Sequence, residues 1–207
     1  DTCGLCEQAY HGVVSHALGW ACWKTYLGRP EMDTPRRLAM TQLGAGLFKT
    51  GHYEEALSVY EAELSMKKRL GLSEVMLLGV MSNIALTYGL IGRKEQALQM
   101  RRDVYSGYLR LYGEEHEWTL MPAHNYAASL VCLKRFEEAK ALLRKMIPVA
   151  RRVLGESHDL TLRIRSVYAE ALCNDPDATL DDLREAVSTL EDTGRIARRV
   201  LGGTHPL

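Results

Sequence analysis

The chain has 207 residues, enough for one or two domains with a sizeable core, and its 26 lysines and arginines balance 26 aspartates and glutamates. Zero net charge speaks against a dedicated nucleic-acid surface, which needs a basic excess, and no run of eighteen apolar residues is present to span a membrane. The five cysteines, at 3, 6, 22, 132 and 173, are odd in number and mostly scattered, which suits a reducing compartment and a cytoplasmic setting better than a disulfide framework.

In chain order, residues 1–8 carry Cys3 and Cys6 in "DTCGLCEQ", a Cys-x-x-Cys spacing at which two thiolates can grip one face of a zinc ion. Three readings stand: half a zinc site completed upstream of residue 1, a site completed by His11 with further downstream ligands, or ordinary thiols. Residues 9–33 hold a helix, "HGVVSHALGWACWKTY", and a turn, "GRPEMDTP". Trp20, Trp23 and Tyr26 sit three apart in it and are expected to pack as a cap over the open end of the next helix pair.

From residue 34 onward the chain repeats itself. "ARRVLGESHDL" at 150–160 returns as "ARRVLGGTHPL" at 197–207, with eight of eleven letters the same. Glycines 71, 113, 155 and 202 are separated by 42, 42 and 47 residues, and alanines 56, 97, 139 and 186 by 41, 42 and 47. Two independent markers thus share one period and one five-residue insertion. Such a period signals stacked units, none able to bury its apolar face alone. The units are about 36–77, 78–119, 120–161 and 162–207, each reading as two helices.

In the first unit Leu43, Leu47 and Phe48 keep helical spacing, Thr34 is the expected N-cap with Pro35 at N1, and Gly51 ends the helix. The second helix starts near Tyr53, carries Ala56, Leu57 and Tyr60, and ends at Gly71. Small residues at 44, 85, 127 and 169 precede the marker alanines by 12, 12, 12 and 17 positions, allowing the two helices of a pair to approach closely. In the third unit Lys134 stands where the turn glycine belongs. The fourth unit's insertion, "NDPDATLDD", is expected to form a longer acidic loop with a capping-box-like restart at Thr179 and Asp182. The fold expected is an all-α superhelix, a solenoid of four helix pairs behind an N-terminal capping helix, interrupted in mid-phrase at residue 207.

"SNIALTYGLIGRKEQAL" and "HNYAASLVCLKRFEEAK" resemble the tetratricopeptide repeat, and the long connector "LGESHDLTL" is similar to that of the 42-residue variety in kinesin light chains. The resemblance covers residues 36–207. It implies a concave groove lined by the first helix of each pair, where an asparagine two places before the small residue bonds a bound peptide's backbone. By register this implicates Asn83 and Asn125, with Gln42 in the first unit and Val167 breaking the series. Thr41, Ser82, His124 and Ser166 lie beside them, and Phe48, Gly89 and Val131 nearer the helix ends. A primary amide donates and accepts at once, so it can match both groups of an extended main chain. An apolar anchor is expected near Phe48 or Leu86. The basic clamp for a C-terminal carboxylate is missing from the first three units. The start of the chain also resembles the closing Cys-x-x-Cys of a RING-type finger, which would make the chain the substrate-recruiting arm of a ubiquitin ligase.

Histidines 116, 158 and 205 recur in the connectors. Successive connectors lie a whole helix pair apart, about 8–10 Å per layer, so they cannot share one ion and are read as structural. "RRV" at 151 and 198 recurs likewise and suits solvated helix ends. Cys132 and Cys173 fall in apolar stretches and are read as small hydrophobes. No phosphate loop, no G-x-S-x-G and no H-E-x-x-H is present. The functional expectation is a non-catalytic, cofactor-free scaffold that binds a protein or peptide partner.

Overall fold

The computed structural model describes residues 12–201, and all regular structure among them is helical. The helices are α1 (Gly12–Tyr26), α2 (Thr34–Lys49), α3 (Tyr53–Arg69), α4 (Glu74–Leu90), α5 (Lys94–Tyr112), α6 (Glu117–Cys132), α7 (Phe136–Leu154), α8 (Asp159–Asn174) and α9 (Leu180–Leu201). They fall into two compact units, residues 1–100 and 101–207, with the division inside α5.

The helices end where the backbone can leave the right-handed region. Gly51, Gly71 and Gly92 have φ of +82°, +63° and +82°. At each, two amides fold back on the preceding turn. At Gly51 its own N–H reaches the Phe48 carbonyl at 3.1 Å and the next, of His52, reaches Leu47 at 3.0 Å. These paired bonds satisfy carbonyls that the helix end would otherwise orphan. Lys134 makes the same pair, to Val131 at 2.9 Å and through Arg135 to Leu130 at 2.8 Å, at φ +59°. The repeat therefore demands the left-handed residue even where no glycine supplies it.

In the first unit, Leu43, Leu47, Ala56, Leu57, Tyr60, Val80 and Ile84 form the core, with Trp23 and Phe48 packed against it. The glycine-rich run of α2 explains how close its neighbours come. A Cβ on Gly44 would lie 2.5 Å from Tyr60 Cε1 of α3, and one on Gly46 would lie 2.8 Å from the Ser15 carbonyl of α1. One on Gly19 of α1 would meet the backbone of Gln42 and Leu43 at 3.1 Å. Helix α1 thus caps α2 through backbone approach at glycines. Of the expected aromatic stripe, Trp23 joins the core, whereas Trp20 lies exposed because its side of α1 faces solvent. The start of α2 also differs by one position: Asp33 is the N-cap and Thr34 already helical, so Pro35 stands second in the helix. Proline tolerates either place, since first-turn amides have no intrahelical acceptor.

In the second unit α6 packs on α7, α7 on α8 and α8 on α9, and α6 also lies beside α8. Leu120, Leu130, Leu143, Ile164 and Leu172 are fully buried, as are the small residues Ala127, Ala139, Ala169 and Ala186. The insertion after α8 is tied down from beneath. Lys140 Nζ donates to Asp175 Oδ2 at 2.7 Å, with both side chains buried, and also contacts Glu137. Burial opposes the charge on Lys140, yet the bonds from Asp175 and Glu137 together outweigh it and hold its proton above the ordinary lysine range. Asp175 is correspondingly held below the usual carboxylate range, chiefly by the bond from Lys140. Helix α9 then restarts with the reciprocal cap expected: Thr179 N–H donates to Asp182 Oδ2 at 3.0 Å, and Asp182 N–H to Thr179 Oγ1 at 3.1 Å.

Two contrasts test this packing. Gly79 is exposed in α4 with open space where a Cβ would stand, so Gly79→Ala should stabilise by about 0.5–1 kcal/mol, whereas Gly44→Val should cost about 1–3 kcal/mol by colliding with Tyr60. Lys134→Gly should stabilise by up to about 1 kcal/mol by removing the left-handed penalty. Urea unfolding midpoints followed by circular dichroism read both.

Candidate interaction face

The residues singled out by the repeat register meet different fates. In the first unit Leu86 is exposed, Gln42 lies on the surface of α2 and Asn83 is half-buried, its main-chain carbonyl accepting from Thr87 Oγ1 at 2.8 Å. Ser82 turns its hydroxyl back to the Leu78 carbonyl at 2.9 Å. Two of the register residues also have partners inside the fold. Thr41 donates to Glu63 Oε1 at 2.5 Å, an interior acid that also takes Lys67 Nζ at 2.8 Å, so its hydroxyl serves the α2–α3 contact. Phe48 packs on the core and meets Tyr53 edge-on at 5.4 Å between centroids, so Leu86 is the better placed apolar anchor.

In the second unit the register positions come together on α6, beside α8. Asn125 and His124 are half-buried neighbours, with Asn125 Oδ1 3.3 Å from His124 Nδ1. A donor on that nitrogen leaves the two amide hydrogens of Asn125 for another acceptor. Arg101 of α5 holds α6 from behind: Nη1 donates to the Asn125 carbonyl at 3.3 Å and to Ser129 Oγ. Met121 is exposed one turn earlier on α6. On α8, Ser166 bonds the Leu162 carbonyl at 3.1 Å, and Arg163 pairs with Asp159 at 2.9 Å. Val131 is buried and lines no face. Burial pushes the His124 imidazole below its ordinary range, helped by Arg163 and Arg101 and opposed by Asn125 and Asp159.

Sequence reasoning missed Arg101, although a signal was there. It occupies the register of Tyr60, Leu143 and Leu190, four residues after the marker alanine, so a charge appears where the repeat otherwise sets an apolar group. The structure also gives the connector histidines a definite task. His116 Nδ1 accepts from Trp118 N–H and His158 Nδ1 from Leu160 N–H, each at 3.2 Å, so both are N-caps, of α6 and α8. Arg151 and Arg152 pair with Glu156 and Glu115 on solvated surface. Cys132 and Cys173 are exposed and not core thiols as expected, because both stand at helix ends, where the packed stripe has run out. Cys3, Cys6, His11 and His205 lie outside the described residues. Among the described ones no group of three or more His, Cys, Asp or Glu side chains is placed to hold a metal ion, and no helix is long and apolar enough to cross a membrane.

Comparison with known proteins gives this architecture its place. Residues 77–147 match the tetratricopeptide repeat family model. No curated protein matches the chain in sequence. Among solved structures, a Podosopora anserina protein assigned as a kinesin light chain, with nearly identical TPR-like repeats, aligns at TM-score 0.73 and 17% identity over 91% of this chain and 88% of its own. A single-substitution variant of it gives 0.72 and 19% over 91% and 85%. BtubC (BKLC) from P. vanneervenii aligns at 0.58 and 17% over 93% and 91%. The expected likeness to kinesin-light-chain-like repeats is thus borne out at the level of fold. Residues 77–147 thus match the tetratricopeptide-repeat model, in a chain whose all-α, helix-pair fold is similar to that of these solved structures.

Proposed function

We propose that the chain is a non-catalytic scaffold that holds an extended segment of a protein partner against the first helices of its pairs. The tetratricopeptide fold is generally a protein–protein interaction scaffold. The observation that carries the finer reading is the polar pair on α6: Asn125, anchored through its carbonyl by Arg101, keeps its side-chain amide on a half-buried face with His124 beside it and Met121 exposed nearby. An amide in that setting offers a partner's main chain a donor at little ordering cost, because Arg101 already restrains its helix. Asn83 and Gln42 are the corresponding amides of the first unit, with Leu86 as an exposed anchor. A net hydrogen bond contributes about 1 kcal/mol, so affinity from such contacts is modest and rests on several acting together.

Peptides selected from a random library on the native chain provide the ligand for the test. Asn125→Ala should raise their Kd about five-fold, and Asn83→Ala with Asn125→Ala further, by fluorescence anisotropy and with unchanged helicity. Identical binding by the double variant refutes the assignment.

His124 adds a pH dependence of stability. Its proton affinity is lower in the fold than in the unfolded chain, so below about pH 6.5 the unfolded state binds more protons. The stability it contributes is complete above that pH and is lost as pH falls through the depressed folded value. Urea midpoints at about pH 7.5 and 5.5 should converge between native protein and His124→Asn if this residue carries the loss, the native protein showing the steeper decline.

A further inference from the structure

The start of α6 differs from that of α8 in what surrounds its acids. Both helices follow the same kind of connector, and positions 42 apart correspond. In the α8 copy Glu156 takes Arg151 at 2.9 Å and Arg165 at 3.0 Å, and Asp159 takes Arg163 at 2.9 Å. In the α6 copy these acids recur as Glu114 and Glu117, both exposed, but the three arginine positions hold Leu109, Met121 and Ala123. Among the described residues no ion pair reaches either acid. Lys145 lines the same crevice as Glu114 without pairing to it, and Arg152 pairs with Glu115 instead. Where α8 has Leu160, 5% exposed, α6 has Trp118, 52% exposed.

That indole is held in place. His116, which accepts the Trp118 N–H as the cap of α6, has its ring 5.4 Å from the indole, and Tyr112 meets it edge-on at 5.0 Å. Thr119 Oγ1 donates to the Gly113 carbonyl at 2.8 Å and fastens the connector. Met121, 44% exposed, stands four residues after Glu117, the interval at which Arg163 reaches Asp159 in α8.

We infer that the start of α6 binds a basic side chain, foremost arginine, of an extended partner segment, laid over Met121 between the Trp118 ring and the Glu117 carboxylate. The inference rests on reading α6 as the partner-binding face, since Trp118, Met121 and Asn125 follow one another at helical intervals of three and four. The partner's guanidinium supplies here the charge that Arg163 supplies within α8. A planar guanidinium suits both neighbours, stacking on an indole face while its edge bonds a carboxylate. Because His116 and Tyr112 already fix the ring, little further ordering is required. An acidic segment would be repelled by Glu114 and Glu117, which gives the face its selectivity.

Peptides selected from a random library on the native chain should carry arginine or lysine at one shared position. Replacing that residue by leucine in a selected peptide should raise its Kd about five-fold by fluorescence anisotropy. This preference for the basic peptide should shrink with added salt. It should vanish in Trp118→Leu, which installs the residue of the α8 copy, and in Met121→Arg, which installs that copy's internal cation. Circular dichroism checks that both variants keep the native helicity. Selected peptides without a shared basic position, or a selection that yields no binder, overturn the inference. A basic preference that survives in both variants does the same. Binding that falls with Asn125→Ala but ignores Trp118→Leu overturns this inference and leaves the amide assignment standing. The basic preference lost in Trp118→Leu, with binding indifferent to Asn83→Ala and Asn125→Ala together, supports it and refutes the amides alone.

Discussion

Close approach of paired helices at positions without bulk is the constraint on which the remaining structure depends. Where Gly44 faces the Tyr60 ring, a single methyl would stand at 2.5 Å from a carbon of that ring. The same logic places fully buried alanines at 56, 127, 139, 169 and 186, and nearly so at 85 and 97. Short separation lets the larger side chains between these points interlock at interior density. A pair built this way still leaves apolar surface on its flank. That surplus is what drives the next helix to dock, as α8 docks on α7 and α9 on α8.

The turns follow from the same requirement. A tight helix hairpin must reverse direction within a few residues and still satisfy its last carbonyls. The left-handed residue with two back-bonded amides does both, at Gly51, Gly92 and Lys134 alike. At the opposite end of the pairs, His116 and His158 close the first turn of α6 and α8 by accepting an amide at Nδ1. Helix α6 is thus held at both ends, by His116 and by the turn at Lys134.

Charged groups buried or half-buried in the stack come with partners. Glu63 is matched by Lys67 and Thr41, Lys140 by Asp175 and Glu137, and Arg101 by Ser129 and the Asn125 carbonyl. Isolated burial of any of these charges would be costly, so each is retained with its partners or not at all. Two of the sets have positional consequences. Lys140 fastens the inserted segment that precedes α9, and Arg101 fastens the helix that carries His124 and Asn125.

Periodicity made the helix pairs, their small-residue crossings and the glycine turns legible, and a local capping pattern gave the Thr179–Asp182 restart, whereas the left-handed turn at Lys134 appeared only in the structure. The legible features are local or recur at a fixed interval, and repetition makes a local rule visible. Which register position faces outward was decided only in three dimensions. Thr41 and Asn125 share a groove-like register within one residue, yet Thr41 is turned to Glu63 while Asn125 stays on a half-buried surface. Phe48 joined the core because α3 brings Tyr53 edge-on against it, and Trp20 stayed outside because α1 meets α2 through glycines on another side. Those outcomes depend on pairs such as Thr41 and Glu63 or Arg101 and Ser129, more than twenty residues apart and not repeated in the other units. A contact made once, between distant residues, leaves no period behind it, and only the packed chain reveals it.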